Sequence, residues 1–216
     1  LLSLFFSLLF GFFVVLTLLK KFSFQSLLKT LAILLIILSL FQPWWMLISS
    51  SKIPPAERTT TIYVNPGVMI KTIKYDGDTT FEIAEIPDQV LMFLGAIVPL
   101  AILTCLILVS SILLKRTKKK QFGFLLSIIG VVLLCILLSS FYFVTAKITE
   151  ASIGAVQGEG ALTFSFGSEE IIMQSSWGLS TGFYFIFVAV IIAAIALGID
   201  IRTKVMQKKK LLSPQN

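Results

Sequence analysis

The chain has 216 residues, of which 56% are hydrophobic and 13% are charged, whereas soluble domains carry about 25% charged residues. It contains no histidine, so the commonest general base, haem ligand and transition-metal ligand is missing. Its net charge of +7 comes from 18 basic and 11 acidic residues. This composition predicts a membrane protein and excludes chemistry that depends on histidine.

Five apolar stretches are long enough to cross a bilayer, which takes about 20 residues of helix. Each is apolar around the whole helix, as lipid-exposed segments are. The basic pair Lys20–Lys21 follows the first stretch instead of preceding it, which favours a true span over a signal peptide. The predicted spans are Leu1–Leu19, Thr30–Ile48, Gln89–Leu114, Phe122–Ala146 and Leu179–Ile201.

The charged residues between the predicted spans are distributed unequally over the two sides of the membrane. One set of loops and the C-terminal tail hold 13 of the 18 basic residues and only Asp200 among the acidic residues. Because Lys- and Arg-rich loops stay in the cytoplasm, we expect the N-terminus outside and the C-terminus inside. The basic clusters are predicted to contact anionic lipid headgroups and not nucleic acid, through Lys118, Lys119, Lys120, Lys208, Lys209 and Lys210.

The two outer loops carry β-strand and turn signals. Residues 49–88 contain a β-branched run over Thr59–Val64, then Asn65-Pro66-Gly67, which suits a type II turn, and later the hairpin signal Asp76-Gly77. These signals predict a three-stranded meander. Residues 147–178 predict a weaker hairpin over 161–166 and 171–176. We expect both loops to form one small antiparallel sheet above two helical hairpins, 1–48 and 89–146, and a last span with its tail, 179–216.

Two groups of residues in and beside the spans predict contacts. Amphipathic rings at the outer ends of the spans are typical of membrane-interface anchors, which here are Trp44, Trp45, Tyr142, Trp177 and Tyr184. Small residues at four-residue spacing let helices approach closely. This pattern predicts a packing face, against this chain or a partner, at Ala189, Ala193, Ala194 and Gly198.

Reactive groups are scarce. No charged residue lies in the middle of a predicted span, although transporters and proton pumps usually carry one. Phosphate-binding glycine loops, metalloprotease helices and Ser-His-Asp sets are also missing. Cys105 and Cys135 lie within spans, where a buried apolar role is favoured over a disulfide or a metal pair. We therefore expect no catalytic, cofactor-binding or metal-binding residues.

The order of elements over Thr30–Lys210 is helix, long β-rich outer loop, helix, basic inner loop, helix, shorter outer loop and helix. This order resembles the claudin and peripheral-myelin-protein group of tetraspan proteins, with their fungal PalI-type relatives, and adds one helix in front. Trp44 or Trp45 and the pair Trp177-Gly178 are reminiscent of that group, whereas the claudin hallmark of Trp, Gly-Leu-Trp and two outer cysteines is absent. The resemblance implies a left-handed helical bundle capped by a sheet, acting through lateral and outer-face contacts.

These features together predict an all-α membrane bundle of five transmembrane helices with a small extracellular β-sheet cap. The expected role is a non-catalytic accessory, scaffolding or adhesion subunit that binds lipids and other integral membrane or surface-layer proteins. Scarce cysteine and the lack of glycosylation sequons in the outer loops favour a prokaryotic or archaeal plasma membrane. A transporter or channel component, which needs a polar seam across several spans, and a lipid enzyme, which needs outer acids beside a groove, remain alternatives.

Overall fold

A computed structural model describes residues 23–51, 58–75, 78–83, 88–115, 117, 120–166 and 169–212. The first predicted span, Leu1–Leu19, lies outside these residues. The described helices are α1 (Phe24–Ser39), α2 (Asp88–Lys115), α3 (Lys120–Ser152) and α4 (Thr181–Leu212). Of these, α2, α3 and α4 are long and apolar enough to cross a membrane. They correspond to the last three predicted spans and indicate a membrane-embedded protein.

The second predicted span, Thr30–Ile48, is helical only as far as Ser39. Helix α1 has 16 residues and is about 24 Å long, short of the roughly 30 Å hydrocarbon core. The Ser23 side chain caps its first turn by accepting a hydrogen bond from the Ser26 N–H at 3.3 Å. Within the described residues, five membrane-spanning helices are therefore not supported. The orientation of the chain across the membrane stays a prediction.

The two loops that are predicted to lie outside form one antiparallel sheet of six strands in the order β4-β3-β2-β1-β6-β5. Gly67 has a φ of +86°, which fits the predicted type II turn between β2 and β3. The predicted meander and hairpin are thereby confirmed as parts of a single sheet. The strands are β1 (Trp45–Ser51), β2 (Arg58–Asn65), β3 (Val68–Tyr75), β4 (Asp78–Ile83), β5 (Gly158–Phe166) and β6 (Glu169–Leu179).

Strand β1 joins the two outer loops, and it occupies the end of the second predicted span. Trp45 is paired with Val64 of β2 on one side and with Leu179 of β6 on the other. Residues along β1 alternate, because Trp45, Leu47, Ser49 and Ser51 are buried while Ile48 and Ser50 are exposed. This alternation gives the sheet an inner face toward the helices and an outer face away from them.

The helices form a ring in which α1 packs most extensively on α4 and α2 on α3, with α1–α2 and α3–α4 contacts closing it. Trp44 lies at the junction of bundle and sheet and is 0% exposed. Its ring meets Phe141 edge-on at a centroid distance of 4.9 Å. A Cβ at Gly182 would lie 2.6 Å from the Gln42 carbonyl oxygen and would also collide with the Trp44 ring. Glycine at this position therefore permits the closest approach of α4 to the chain leaving α1.

Candidate functional site

Charged side chains from three helices meet inside the bundle at the end far from the sheet. Lys29 of α1 and Asp200 of α4 are 2% and 4% exposed, and the Lys29 Nζ lies 3.0 Å from the Asp200 Oδ2. Lys115, at the end of α2 and 30% exposed, contacts the other carboxylate oxygen, Oδ1. Each oxygen of Asp200 is thus engaged by a different lysine.

Two hydroxyls complete this group, that of Ser127 from the fourth helix, α3, and that of Ser111 from α2. The Lys29 Nζ also donates to the Ser111 Oγ at 3.2 Å and to the Ser127 Oγ, and Ser127 donates to Ser111 at 3.2 Å. Because an ammonium group carries three N–H donors, Asp200 and the two serines accept all that Lys29 offers. We call Lys29, Ser111, Lys115, Ser127 and Asp200 the polar cluster.

Gly123 brings the helices of the polar cluster together. A Cβ at Gly123 would lie 2.9 Å from the Lys115 backbone nitrogen and 3.0 Å from the Ser111 carbonyl oxygen. Gly123 and Ser127 are four residues apart and therefore lie on the same face of α3. The close contact of α2 with α3 places Ser127 beside Ser111, so that both hydroxyls reach Lys29.

Local sequence patterns do not predict the polar cluster, because Lys29 lies directly before the second predicted span and Asp200 lies at the end of the last one, where a charge is expected to face water. A charge buried inside a protein is tolerated only when it is paired and hydrogen-bonded. The useful signal was a lone acid, Asp200, at the inner end of an apolar span, together with a lysine at the same end of another span. Pairing the two needs a contact across 171 positions, which no local pattern reveals.

A cavity of about 760 Å³ lies at the opposite end, between the inner face of the sheet and the ends of α2 and α3. Its wall is mainly apolar on both sides, with Leu47 and Ile62 from the sheet facing Phe93 and Phe141 from the helices. The hydroxyl side chains in the lining are those of Thr145, Thr149, Ser152 and Thr163. Lys147 of α3 belongs to its lining. A volume of this size falls within the range of small-molecule sites, about 300–1,000 Å³.

The five predicted anchor residues fall into two groups. Trp44 and Trp45 are 0% and 7% exposed, so the protein itself covers both rings, and their role as membrane-interface anchors stays a prediction. All three indole N–H groups, including that of the half-buried Trp177, donate to backbone carbonyl oxygens at 2.9 Å. Tyr142 and Tyr184 are about half exposed, and their contact with the membrane interface stays a prediction.

The predicted packing face of α4 is divided between inside and outside. Ala189 and Ala193 are buried in the core of the chain. Ala194 and Gly198 are exposed, and a Cβ at Gly198 would meet no described atom within 4 Å. Any helix that uses the outward pair therefore comes from beyond the described part of this chain.

The remaining predicted contacts concern lipids, metals and thiols. Lys118 and Lys119 lie outside the described residues, and the lipid contacts of Lys120 and Lys208–Lys210 stay predictions. Among the described residues, no three His, Cys, Asp or Glu side chains are grouped so as to hold a metal ion. Cys105 and Cys135 are free thiols.

Comparison with known proteins yields no relative from which a role can be transferred. No protein-family model matches the sequence, and a search of curated proteins finds no significant match. The sheet, the polar cluster and the cavity are therefore the features from which a function can be inferred.

Proposed function

We propose that this protein is a non-catalytic accessory, scaffolding or adhesion subunit, which binds other membrane or surface-layer proteins through the outer face of its sheet and its exposed helix faces. The observation that carries the proposal is the apolar outer face of the sheet. The resemblance to the claudin group points the same way, although likeness of fold alone does not determine function.

The apolar residues of the outer face are aligned across strands. Ile83, Ile70, Tyr63 and Met46 are successive cross-strand partners from β4 to β1. In the neighbouring row, Phe81 of β4 is 75% exposed, and Ile83 beside it is 80% exposed. Large apolar groups that share one surface favour a binding role over simple solvation.

Strand β4 is also an edge of the sheet, and all six of its residues are exposed. An edge strand presents unpaired backbone groups that a partner strand can bond. Exposed apolar side chains on such an edge add contact area to those bonds. The β4 edge together with Phe81 and Ile83 is therefore the proposed centre of the partner surface.

The proposal is tested by gentle cross-linking in source membranes, detergent extraction and native mass spectrometry. Wild-type protein is expected to co-purify in fixed stoichiometry with a larger membrane assembly. The double variant Phe81→Glu/Ile83→Glu should lose the partner, whereas Thr79→Glu, which adds one charge to the same face of the same strand, should retain it. A wild-type protein that is recovered alone or only as a homo-oligomer contradicts the proposal.

A transporter or channel component is the second candidate, and the polar cluster is the observation that favours it. Ionisable residues inside a membrane bundle commonly mark ion or proton paths, and here all four described helices contribute. Proton flux into liposomes that contain the protein tests this role. Flux that exceeds the empty-liposome rate and is abolished by Asp200→Asn supports it, and flux at the empty-liposome rate excludes it for protons.

A further inference from the structure

The cavity beneath the sheet has the chemistry of a hydrocarbon-binding site. Leu47 and Ile62 form one wall, Phe93 and Phe141 form the other, and Leu162 of β5 extends the first. Hydroxyls are few in the lining, and that of Thr149 already donates to the Thr145 carbonyl oxygen. A polar ligand would therefore leave most of its hydrogen-bonding groups unpaired, which carries a free-energy cost. An alkyl chain carries no such groups and gains from leaving water.

The depth of the cavity in the membrane can be estimated by counting residues along α2 and α3 from the polar cluster. Lys115 and Gly123 are in contact at the inner end of α2 and α3, and about 20 helical residues cross the hydrocarbon core. About 20 residues from Lys115 along α2 toward the sheet is Gly95, and about 20 residues from Gly123 along α3 is Phe143. Leu94 and Phe141, which line the cavity, lie at this level. The cavity therefore begins where the hydrocarbon core ends and extends toward the headgroups.

Exposed apolar side chains flank the cavity at that level. Phe143 of α3 is 63% exposed and Met92 of α2 is 76% exposed. Both flank cavity-lining residues, Val144 and Phe93 respectively, in the sequence. A chain from the adjoining leaflet can reach the cavity along apolar surface without passing through water.

Lys147 supplies a charge at the rim. It lines the cavity and is 64% exposed, and its Nζ lies 3.2 Å from the Glu150 Oε2. Exposed pairs between residues three apart on a helix are weak, so an anionic headgroup competes with Glu150 for the ammonium. Lysine beside the headgroup layer attracts anionic lipids.

We propose that the cavity holds one acyl chain of an anionic phospholipid from the adjoining leaflet, with its phosphate at Lys147. This site does not depend on the proposed subunit role, because it uses the inner face of the sheet and not the outer face. Its test likewise requires no partner protein.

Trp45 reports on the site because it lines the cavity and is only 7% exposed to the surroundings. The single-tryptophan variant Trp44→Phe/Trp177→Phe is placed in phosphatidylglycerol vesicles with bromine on one acyl chain, and in the same vesicles without bromine. Bromine quenches indole fluorescence only at short range. We expect loss of Trp45 emission in the brominated vesicles, and equal emission in the two vesicles overturns the site.

A matched pair of variants shows where the chain lies. Leu162→Phe narrows the cavity and should reduce both the quenching of Trp45 and the phospholipid retained in native mass spectrometry. Ala161→Phe places the same ring on the outer face of the same strand and should change neither. Equal quenching in both variants overturns the assignment. The mass measurement uses wild-type tryptophans, so it remains decisive if the single-tryptophan variant does not fold.

The headgroup is tested separately with Lys147→Gln. Wild-type protein should retain phosphatidylglycerol in preference to phosphatidylcholine, and the variant should lower that preference about fivefold. An unchanged preference overturns the role of Lys147.

Discussion

At the end of the bundle far from the sheet, space between the helices is filled by two lysines, an aspartate and two serines, whereas at the sheet end a mainly apolar cavity of about 760 Å³ remains. A buried charge is stable only when every donor and acceptor has a partner. The charged side chains at the end far from the sheet therefore depend on their present partners. Apolar walls require no particular partner and leave room for a ligand. We therefore expect single substitutions to lower the free energy of unfolding most at the end of the bundle far from the sheet.

Removing the one acid of the polar cluster should have the largest effect. Asp200→Asn leaves Lys29, which is 2% exposed, buried without its counter-charge. Breaking a buried ion pair costs about 3–5 kcal/mol, and we expect a loss of this size in the free energy of unfolding, measured in detergent. The control is Glu82→Gln in an exposed pair with Lys71, N to O 3.7 Å, which should cost at most about 1 kcal/mol.

Replacing both Lys29 and Asp200 separates the net contribution of the ion pair to stability from the penalty of leaving one charge buried and unpaired. Lys29→Met/Asp200→Leu removes both charges, and apolar replacements of a buried pair are often neutral or stabilising. Lys115, which is 30% exposed, then turns to water. The double variant should be more stable than Asp200→Asn alone. If it is less stable, the polar cluster contributes more than mutual compensation of charge.

Gly182→Ala should have an intermediate effect, at the junction between the two ends. The added Cβ collides with the Trp44 ring and lies 2.6 Å from the Gln42 carbonyl oxygen. Overpacking of this kind costs about 1–3 kcal/mol, visible as a lower thermal midpoint. Gly198→Ala meets no described atom within 4 Å and should leave the midpoint equal or higher. A large loss from Gly198→Ala would reveal a helix packed on that face.

The smallest effects are expected on the inner face of the sheet. Ser49 and Ser175 share a hydrogen bond at 2.7 Å, while the buried Thr60 Oγ1 beside them has no hydrogen-bond partner among the described residues. Ser49→Ala should cost about 1 kcal/mol, and Thr60→Val, which removes only an unsatisfied hydroxyl, should be neutral or slightly stabilising. Chemical unfolding of the two variants compares them directly. A larger loss from Thr60→Val would show that its hydroxyl has a partner in solution.

Local signals were sufficient for most of the elements. The apolar runs predict α2, α3 and α4 because a membrane helix must hide its backbone within itself and present apolar groups all round. Strands β2–β4 follow from β-branched runs between turns, and Gly67 marks its turn through a backbone conformation that other residues avoid. The weaker hairpin signal over 161–166 and 171–176 predicts β5 and β6 but not their full lengths. These features depend on neighbours along the chain, so the sequence by itself determined them.

Only the tertiary structure decided β1, the polar cluster and the surroundings of Trp44. Trp45–Ile48 is as apolar as the helix before it, and with the three serines that follow it becomes a strand because β2 and β6 pair with it on both sides. Lys29 meets Asp200 because α1 packs on α4. Trp44 is buried because Gly182 admits it. Each of these outcomes depends on contacts between distant segments, whose energies no local pattern contains.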